Sequence, residues 1–131
     1  MEQSENNTEG SCLFCDSSKQ ILAKNHHAYA IRDGYPVTEH HTLIIPFRHV
    51  KDYFELTTDE ILSCNALLHE LRNNILQSDP TVTGFNIGMN AGFSAGQTVF
   101  HCHIHLIPRR NGDIDNPRGG VRGVIPDKRI Y

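Results

Sequence analysis

The pattern of apolar and polar residues predicts one long amphipathic helix. After Thr57, apolar side chains recur at intervals of three or four residues, a spacing that places them on one face of a helix. This stripe consists of Ile61, Cys64, Leu68, Leu71 and Ile75. Thr57 is a favourable N-cap, and Glu60 follows three residues later, where a capping box requires an acid. We expect this helix to be structural and to end by residues 78–80.

The other apolar segments are short and rich in residues that favour strands. Asp33-Gly34 marks a turn between two of them. Strands are predicted at residues 21–23, 27–32, 41–46 and 85–90, and a fifth strand is predicted in the histidine-rich run before Pro108. That run should end at Pro108, because proline cannot donate to a sheet ladder. A short helical or irregular segment is expected over residues 47–56.

Both ends of the chain lack a regular pattern. Residues 1–10 are polar and acidic and are expected to form a flexible tail. Residues 111–131 show no helix or strand periodicity and are expected to form an irregular tail on the surface. The sequence contains no internal repeat and no long linker, so residues 1–131 are interpreted as a single domain.

The composition narrows the possible functions. A net charge of −3 gives no general electrostatic reason to bind nucleic acid. Apolar runs are too short to cross a membrane, and the first ten residues do not resemble a secretory signal. Four cysteines in such a chain favour a reducing compartment over a disulfide framework. We therefore expect a cytoplasmic protein that binds neither nucleic acid nor membrane.

The run His101-Cys102-His103-Ile104-His105 is the strongest indication of a functional site. In a strand, alternate side chains point to the same face, so the three histidines would share one face. Three imidazoles on one face are costly to bury without partners. They could be metal ligands, or one of them could be a nucleophile that the others position.

A second candidate is the Cys12-x-x-Cys15 turn near the start of the chain. It could be a redox pair, although the residues that follow do not resemble the helix that such pairs usually begin. It could also be a pair of buried cysteines without a function. A metal knuckle is the third possibility, and it would need two more ligands from elsewhere in the chain.

Taken together, these segments resemble the histidine triad family, whose signature is three alternating histidines flanked by apolar residues. The matching residues are the histidine run, the upstream Asn90, Gly92 and Gly96-Gln97-Thr98, and the earlier segment that contains Asp33, residues 41–46 and His49. The resemblance extends from about Cys12 to Arg110 and is closest to the bacterial-type branch that carries a Cys-x-x-Cys zinc knuckle. It implies an α+β fold with about five antiparallel strands, one main helix and a short helix.

The resemblance also implies a structural zinc site. In members of the family that bind zinc, the third ligand follows the Ile-Pro strand end, and the fourth is the first histidine of the triad. The implied ligands here are Cys12, Cys15, His49 and His101. A closed shell of four protein ligands leaves no position for a reactive water, so this zinc would support the fold.

The catalytic roles are likewise implied by the resemblance. His103 is the expected nucleophile, and His105 is expected to bind a phosphate oxygen or assist the leaving group. The expected phosphate-binding residues are Asn90, Gly96, Gln97 and Thr98. Asp33 matches an acid that binds ribose hydroxyls, with an ordinary turn aspartate as the alternative. His41 matches a histidine beneath the triad.

Through these matching residues, the resemblance implies a nucleotide hydrolase or transferase. It would attack the α-phosphate of an adenylyl substrate, form a nucleotidyl-histidine and release AMP. A dinucleoside polyphosphate hydrolase or phosphorylase of the Ap4A type is an alternative, because its first half-reaction is the same. A nucleotide-binding scaffold with vestigial activity and a metal-dependent hydrolase also stay open. The expected partners are a purine nucleotide and a second copy of the chain. Arg109 and Arg110 could meet a distal phosphate or the acidic surface of a partner chain, or they could form a solvated basic corner.

Overall fold

The computed structural model describes residues 12–16 and 20–131, which form an antiparallel sheet with one long helix. The elements are β1 (Ala23–Lys24), β2 (Ala28–Arg32), β3 (Thr42–Pro46), α1 (Thr58–Ser78), β4 (Val82–Gly88) and β5 (Ile104–Arg110). The spatial order of the strands is β1-β2-β3-β5-β4. The predicted α+β fold is confirmed, and a 3-10 turn at Tyr53–Glu55 takes the place of the short helix. The tail predicted over residues 1–10 lies outside the described residues.

The helix α1 begins as the sequence predicts. The Thr57 hydroxyl accepts from the Glu60 N–H, and the Glu60 carboxylate accepts from the Thr57 N–H. The buried face differs from the predicted stripe. Its members are Glu60, Cys64, Leu67, Leu71 and Ile75, whereas Ile61 and Leu68 are only half-buried. Glu60 can be buried because the guanidinium of Arg48 binds its two carboxylate oxygens at 2.8 and 2.9 Å.

The two faces of the sheet have different coverings, because successive side chains of a strand alternate between them. One face packs against α1 around Ala28, Ala30, Ile44, Ile104 and Leu106. The opposite face packs against the Cys12–Cys15 turn around Phe14, Tyr29, Ile31, Leu43 and Ile45. His105 pairs with Leu43 in the β3–β5 ladder and therefore lies on this second face. The helix thus stabilises one side of the sheet and leaves the other side for the site.

The strand β5 covers less of the histidine run than predicted and ends two residues after Pro108. His101 to His103 precede the strand, and Pro108 lies inside it. Pro108 is tolerated because β3 pairs with β5 only from Thr42 onwards, opposite Leu106. The Pro108 carbonyl faces the β3 side of β5, where it accepts from the Thr38 hydroxyl at 2.6 Å. An N–H at Pro108 would point to the same side, beyond the end of β3, so its absence removes no ladder hydrogen bond.

Residues 111–131 follow β5 as a largely irregular segment with short 3-10 turns at Gly120–Val124 and Pro126–Lys128. Gly119 has a φ of +91°, and a Cβ there would lie 1.9 Å from the carbonyl oxygen of Arg129. Only glycine fits this position. Within the described ranges, no helix is both long and apolar enough to cross a bilayer.

Candidate functional site: a cysteine–histidine cluster beside a histidine-lined cavity

The first histidine of the run belongs to a cluster with the two cysteines. The Nδ1 atom of His101 lies 3.2 Å from Sγ of Cys12 and 3.5 Å from Sγ of Cys15. The Nδ1 atom of His49 lies 3.3 Å from Sγ of Cys15. The four ligand atoms all lie within 4.8 Å of one another. These are the four residues that the family resemblance implied as metal ligands, and the fold brings them together from three separate segments.

The geometry of this cluster fits zinc. Bonds of about 2.3 Å to sulfur and about 2.0 Å to nitrogen, at a tetrahedral angle, place the two ligand atoms about 3.5 Å apart. The three sulfur–nitrogen distances of 3.2 to 3.5 Å agree with this value. The other ring nitrogen of His101, Nε2, donates to the Pro46 carbonyl at 2.8 Å, which leaves Nδ1 unprotonated for a metal.

The second histidine of the run, His103, lines a cavity. Its Nδ1–H donates to the carbonyl oxygen of His101 at 2.8 Å. In the neutral imidazole this bond assigns the proton to Nδ1 and leaves the lone pair on Nε2. Burial lowers the pKa of His103 below its usual 6.5, so the ring is neutral at physiological pH. A neutral ring with an unprotonated Nε2 can act as a nucleophile.

The third histidine, His105, is connected to His41. The Val37 N–H donates to Nδ1 of His41 at 3.0 Å, so neutral His41 carries its proton on Nε2. That proton points to Nδ1 of His105, which lies 2.9 Å away. Neutral His105 therefore carries its own proton on Nε2. Burial lowers the pKa of both rings, which favours these neutral forms. The chain of donors thus makes His105 Nε2 a hydrogen-bond donor.

Asp33 lies at the edge of the same group. Its Oδ1 accepts from the Tyr35 N–H at 2.8 Å, which makes it a turn aspartate. Its Oδ2 lies 3.4 Å from Nε2 of His41 and 4.0 Å from Nδ1 of His105. Asp33 is also one of the residues that line the cavity.

The cavity beside these histidines has a volume of about 930 Å³, which is within the usual range for small-molecule sites. His103, His105, Asp33 and Asn90 lie on its wall, together with Gly96, Gln97 and Thr98. Gly96 has a φ of +95°, a conformation that favours glycine. The apolar part of the wall includes Leu13, Phe14, Leu22, Ile31, Leu43 and Val99.

Gln97 does not fit the expectation that its side chain donates to a phosphate. The amide nitrogen donates to the carbonyl oxygens of Lys51 and Val99, and the amide oxygen accepts from the Gly92 N–H. The residue is 1% exposed. With its amide protons used inside the protein, the side chain braces the loop that carries Gly96 and Thr98.

The two arginines after the run are held in ion pairs. Arg109 binds Asp113 at 2.7 Å, and Arg110 binds Asp79 at 2.8 Å. Arg109 also donates to the side chain of Asn86 at 2.7 Å. These contacts stabilise the end of β5 and hold both guanidinium groups against side chains of the protein.

The sequence analysis did not single out Phe14, which contacts two histidines of the run. Its ring centroid lies 4.9 Å from that of His103 and 6.1 Å from that of His101. The available signal was its place between Cys12 and Cys15, because any cluster built on the cysteines must carry the intervening side chains with it. The backbone N–H of Val37, which sets the tautomer of His41, gives no signal in the sequence.

An α+β sheet with one covering helix, a Cys2His2 cluster and a histidine-lined cavity define a histidine triad protein. The family model described as HIT domain matches residues 16–112. The chain therefore belongs to the HIT domain family, and its cysteine–histidine cluster places it in the zinc-knuckle branch.

Similar proteins support this assignment. An uncharacterized HIT-like protein of Mycoplasma genitalium is 34% identical over 110 residues, which cover 80% of this chain and 77% of that protein. The crystal structure of a Zn-bound histidine triad family protein from Mycobacterium smegmatis matches with a TM-score of 0.73 and 33% identity, and the match covers 81% of this chain and 80% of that one. An AP-4-A phosphorylase of Mycobacterium tuberculosis is 30% identical over 99 residues, which cover 75% of this chain and half of that protein.

Proposed function

We propose that this protein is a nucleotidyl hydrolase or transferase in which His103 Nε2 attacks the α-phosphorus of an adenylyl substrate. The observation that carries the proposal is the hydrogen bond from His103 Nδ1–H to the His101 carbonyl, which leaves Nε2 unprotonated on a ring that lines the cavity. The Pα–N bond forms as the bond from Pα to the leaving group breaks. Two easier displacements then replace one difficult displacement.

His105 assists departure of the leaving group. Its Nε2–H donates a hydrogen bond to the leaving atom or to a phosphate oxygen, and the hydrogen bond from His41 Nε2–H to Nδ1 of His105 keeps the proton on Nε2. Water then attacks phosphorus, the P–N bond breaks, and AMP is released. Asn90, Gly96 and Thr98 hold the phosphate, and the Asp33 carboxylate accepts from the ribose hydroxyls. A purine base fits against the apolar wall of the cavity.

Zinc is the proposed metal of the Cys12, Cys15, His49 and His101 cluster. When bound, it supplies a structural cross-link between the N-terminal turn, the residues after β3 and the histidine run. None of the four cysteines, all of which lie in the described part of the chain, forms a disulfide, which suits a reducing compartment such as the cytoplasm.

A metal-dependent hydrolase built on the histidine run has less support. Among the described residues, the groups that could hold a metal separate His101 from His105, and none includes His103. The three histidines of the run therefore do not converge on one ion.

Phosphorolysis is a second candidate, because one relative carries the name AP-4-A phosphorylase. The two activities share the adduct and differ in the group that resolves it. Attack by inorganic phosphate releases ADP in place of AMP. The product formed from diadenosine tetraphosphate with and without added phosphate distinguishes the two.

The test of the proposed function is intact-mass analysis after rapid mixing with adenosine 5′-phosphoramidate or diadenosine tetraphosphate. We expect a transient AMP adduct on the wild type and none on His103→Ala, with the metal content unchanged. Persistence of the adduct in His103→Ala would exclude His103 as the nucleophile.

A homodimer is proposed by analogy with the family, whose dimers use the helix and an edge strand. On this chain Leu62 of α1 and Ile87 of the edge strand β4 are 59% and 50% exposed. Light scattering of the purified protein measures the oligomeric state, and a monomeric mass would refute the proposal.

A further inference from the structure

The cysteine–histidine cluster and the proposed nucleophile share one residue. The ring of His101 faces the cysteines through Nδ1, and the carbonyl of the same residue accepts from Nδ1–H of His103. His101 is fully buried. One buried residue therefore contacts the cysteines through its ring and His103 through its carbonyl.

A second connection runs through Phe14. This residue lies between the two cysteines, and its ring packs edge-on against the His103 ring, with 4.9 Å between centroids and 61° between planes. The Phe14 carbonyl accepts from the hydroxyl of Tyr29 on β2. Burial raises the pKa of Tyr29, so the hydroxyl stays protonated and can donate. The Phe14 backbone is thus attached to the sheet while its side chain rests on His103.

The hydrogen bond to His101 does not by itself fix the orientation of the His103 ring. A single Nδ1–H bond fixes one atom and allows the ring to pivot about it, which moves Nε2 across the cavity. The Phe14 ring lies against the His103 ring, and this contact restricts the rotation. An edge-to-face contact between two rings stabilises one relative orientation modestly. Because attack on phosphorus depends on the alignment of the reacting atoms, even a modest preference in ring orientation affects the rate.

The turn that carries Phe14 depends on contacts with the rest of the protein. It is a three-residue 3-10 turn at Leu13–Cys15 without a side-chain cap. Single turns of this kind are not stable in isolation. The ligands on both sides of Phe14, Cys12 and Cys15, are the groups that attach it to His49 and His101.

From these contacts we propose that Phe14 is a positioning residue for His103, and that the metal-loaded cluster holds Phe14 in place, so that metal occupancy controls the competence of the nucleophile. The proposal rests on the proposed role of His103 as nucleophile, and it assigns the knuckle a regulatory effect on the rate in addition to its support of the fold.

The test uses a signature of His103 that needs no substrate. Long-range ¹H–¹⁵N spectra of the zinc-loaded protein at about pH 8, where imidazoles are neutral, report which nitrogen of each ring carries the proton. We expect one set of His103 signals with the proton on Nδ1 in the wild type. Phe14→Ala and Phe14→Leu, at full zinc content, should show broadened or averaged His103 signals.

The same variants should slow formation of the adduct at saturating substrate by about three- to tenfold. Phe14→Leu retains most of the buried volume and serves if Phe14→Ala does not fold. Phe54→Leu is the matched control, because this phenylalanine is 80% exposed and does not line the cavity. A wild-type His103 spectrum in both Phe14 variants would overturn the positioning role.

Removal of the metal by a chelator tests the second half of the proposal. Metal-free protein that remains folded by circular dichroism should show the same averaging of His103, and added zinc should restore the single set of signals. Unchanged His103 signals after removal would refute the coupling. If no substrate gives an AMP adduct on the wild type, the proposed function fails, whereas the spectra still decide whether cluster and ring are coupled.

Discussion

The Nε2 atom of His41 lies 2.9 Å from the Nδ1 atom of His105, and the Val37 N–H on the far side of His41 determines the direction of the hydrogen bond between them. The His105 proton therefore sits on Nε2. His41 is 2% exposed and lines no part of the cavity, so it acts on a substrate only through His105.

Replacement of His41 by Ala should reduce catalysis most for poor leaving groups. Without His41 the tautomer of His105 is no longer fixed, and donation from His105 Nε2–H to the leaving atom is lost. General acid catalysis contributes about 10²–10⁴-fold to a rate. We expect the rate to fall by a factor near the lower limit for alkyl amine leaving groups and by much less for nitrophenolate. Steady-state rates across a leaving-group series measure this. His69→Ala, on the exposed face of α1, is the control, and an equal loss for all leaving groups would contradict the relay.

The pH dependence of activity should show an acidic limb below pH 6.5. Burial lowers the pKa of His103 and of His105 from 6.5, so both rings stay neutral as the pH falls through that value. Activity is then lost only at lower pH, where the nucleophile becomes protonated and its lone pair is no longer available. A profile of kcat/KM against pH measures the limb. Loss of kcat/KM with a midpoint at or above pH 6.5 would contradict the prediction, because it would mean that burial does not lower the pKa of the nucleophile.

Removal of the cluster ligands should destabilise the protein. Cys12→Ser removes a thiolate ligand, and structural zinc contributes its binding free energy to folding. We expect the Tm to fall by about 10 °C or more, with the same fall for the wild type after chelation. Calorimetry with parallel metal analysis measures both. Cys64→Ser is the control, because Cys64 is not one of the cluster ligands, and this variant should retain its full zinc content. Loss of zinc from Cys64→Ser would show that the zinc content reports the stability of the fold and not the identity of the ligands.

Replacement of Glu60 by Gln should remove an acid-sensitive part of the stability. The hydrogen bonds from Arg48 lower the pKa of Glu60 from 4.5 to about 2. The stabilisation is therefore fully present above pH 4.5 and is lost as the pH falls towards 2. We expect Glu60→Gln to lower the free energy of unfolding by about 2 kcal/mol at neutral pH and by little near pH 2. Urea titrations at several pH values measure the difference.

Glu70→Gln is the matched control for this prediction, because Glu70 lies on the exposed face of the same helix. It should leave the free energy of unfolding unchanged within about 0.5 kcal/mol. A constant difference between Glu60→Gln and the wild type from neutral to acidic pH would exclude ionised Glu60 as the source.

The local elements of the fold could be predicted because their causes are local. The capping box of Thr57 and Glu60 is complete within four residues, and it begins α1 as expected. The position of the buried stripe was less accurate. The Ile61 and Leu68 side chains lie at the margin of the buried face, and burial of Glu60 depends on Arg48, which lies before the helix and cannot be paired with it by periodicity.

The histidine run shows the limit of periodicity. Alternation predicted one strand with three histidines on one face, but the ladder with β3 extends only as far as Ile104. Before that residue, the Cys102 N–H donates to the Val50 carbonyl at 2.8 Å, outside any strand. The His101 ring can therefore turn to the cysteines while His103 lines the cavity.

The sequence by itself determined the long helix, the strand-forming segments and the residue types that can ligate a metal or attack phosphorus, because each depends on neighbours a few positions apart. Only the tertiary structure decided which nitrogen of each histidine carries a proton. The partners that decide it are the carbonyls of Pro46 and His101 and the N–H of Val37. Every residue has such backbone groups, so their placement depends on how the folded chain brings segments together and leaves no mark in the amino-acid sequence.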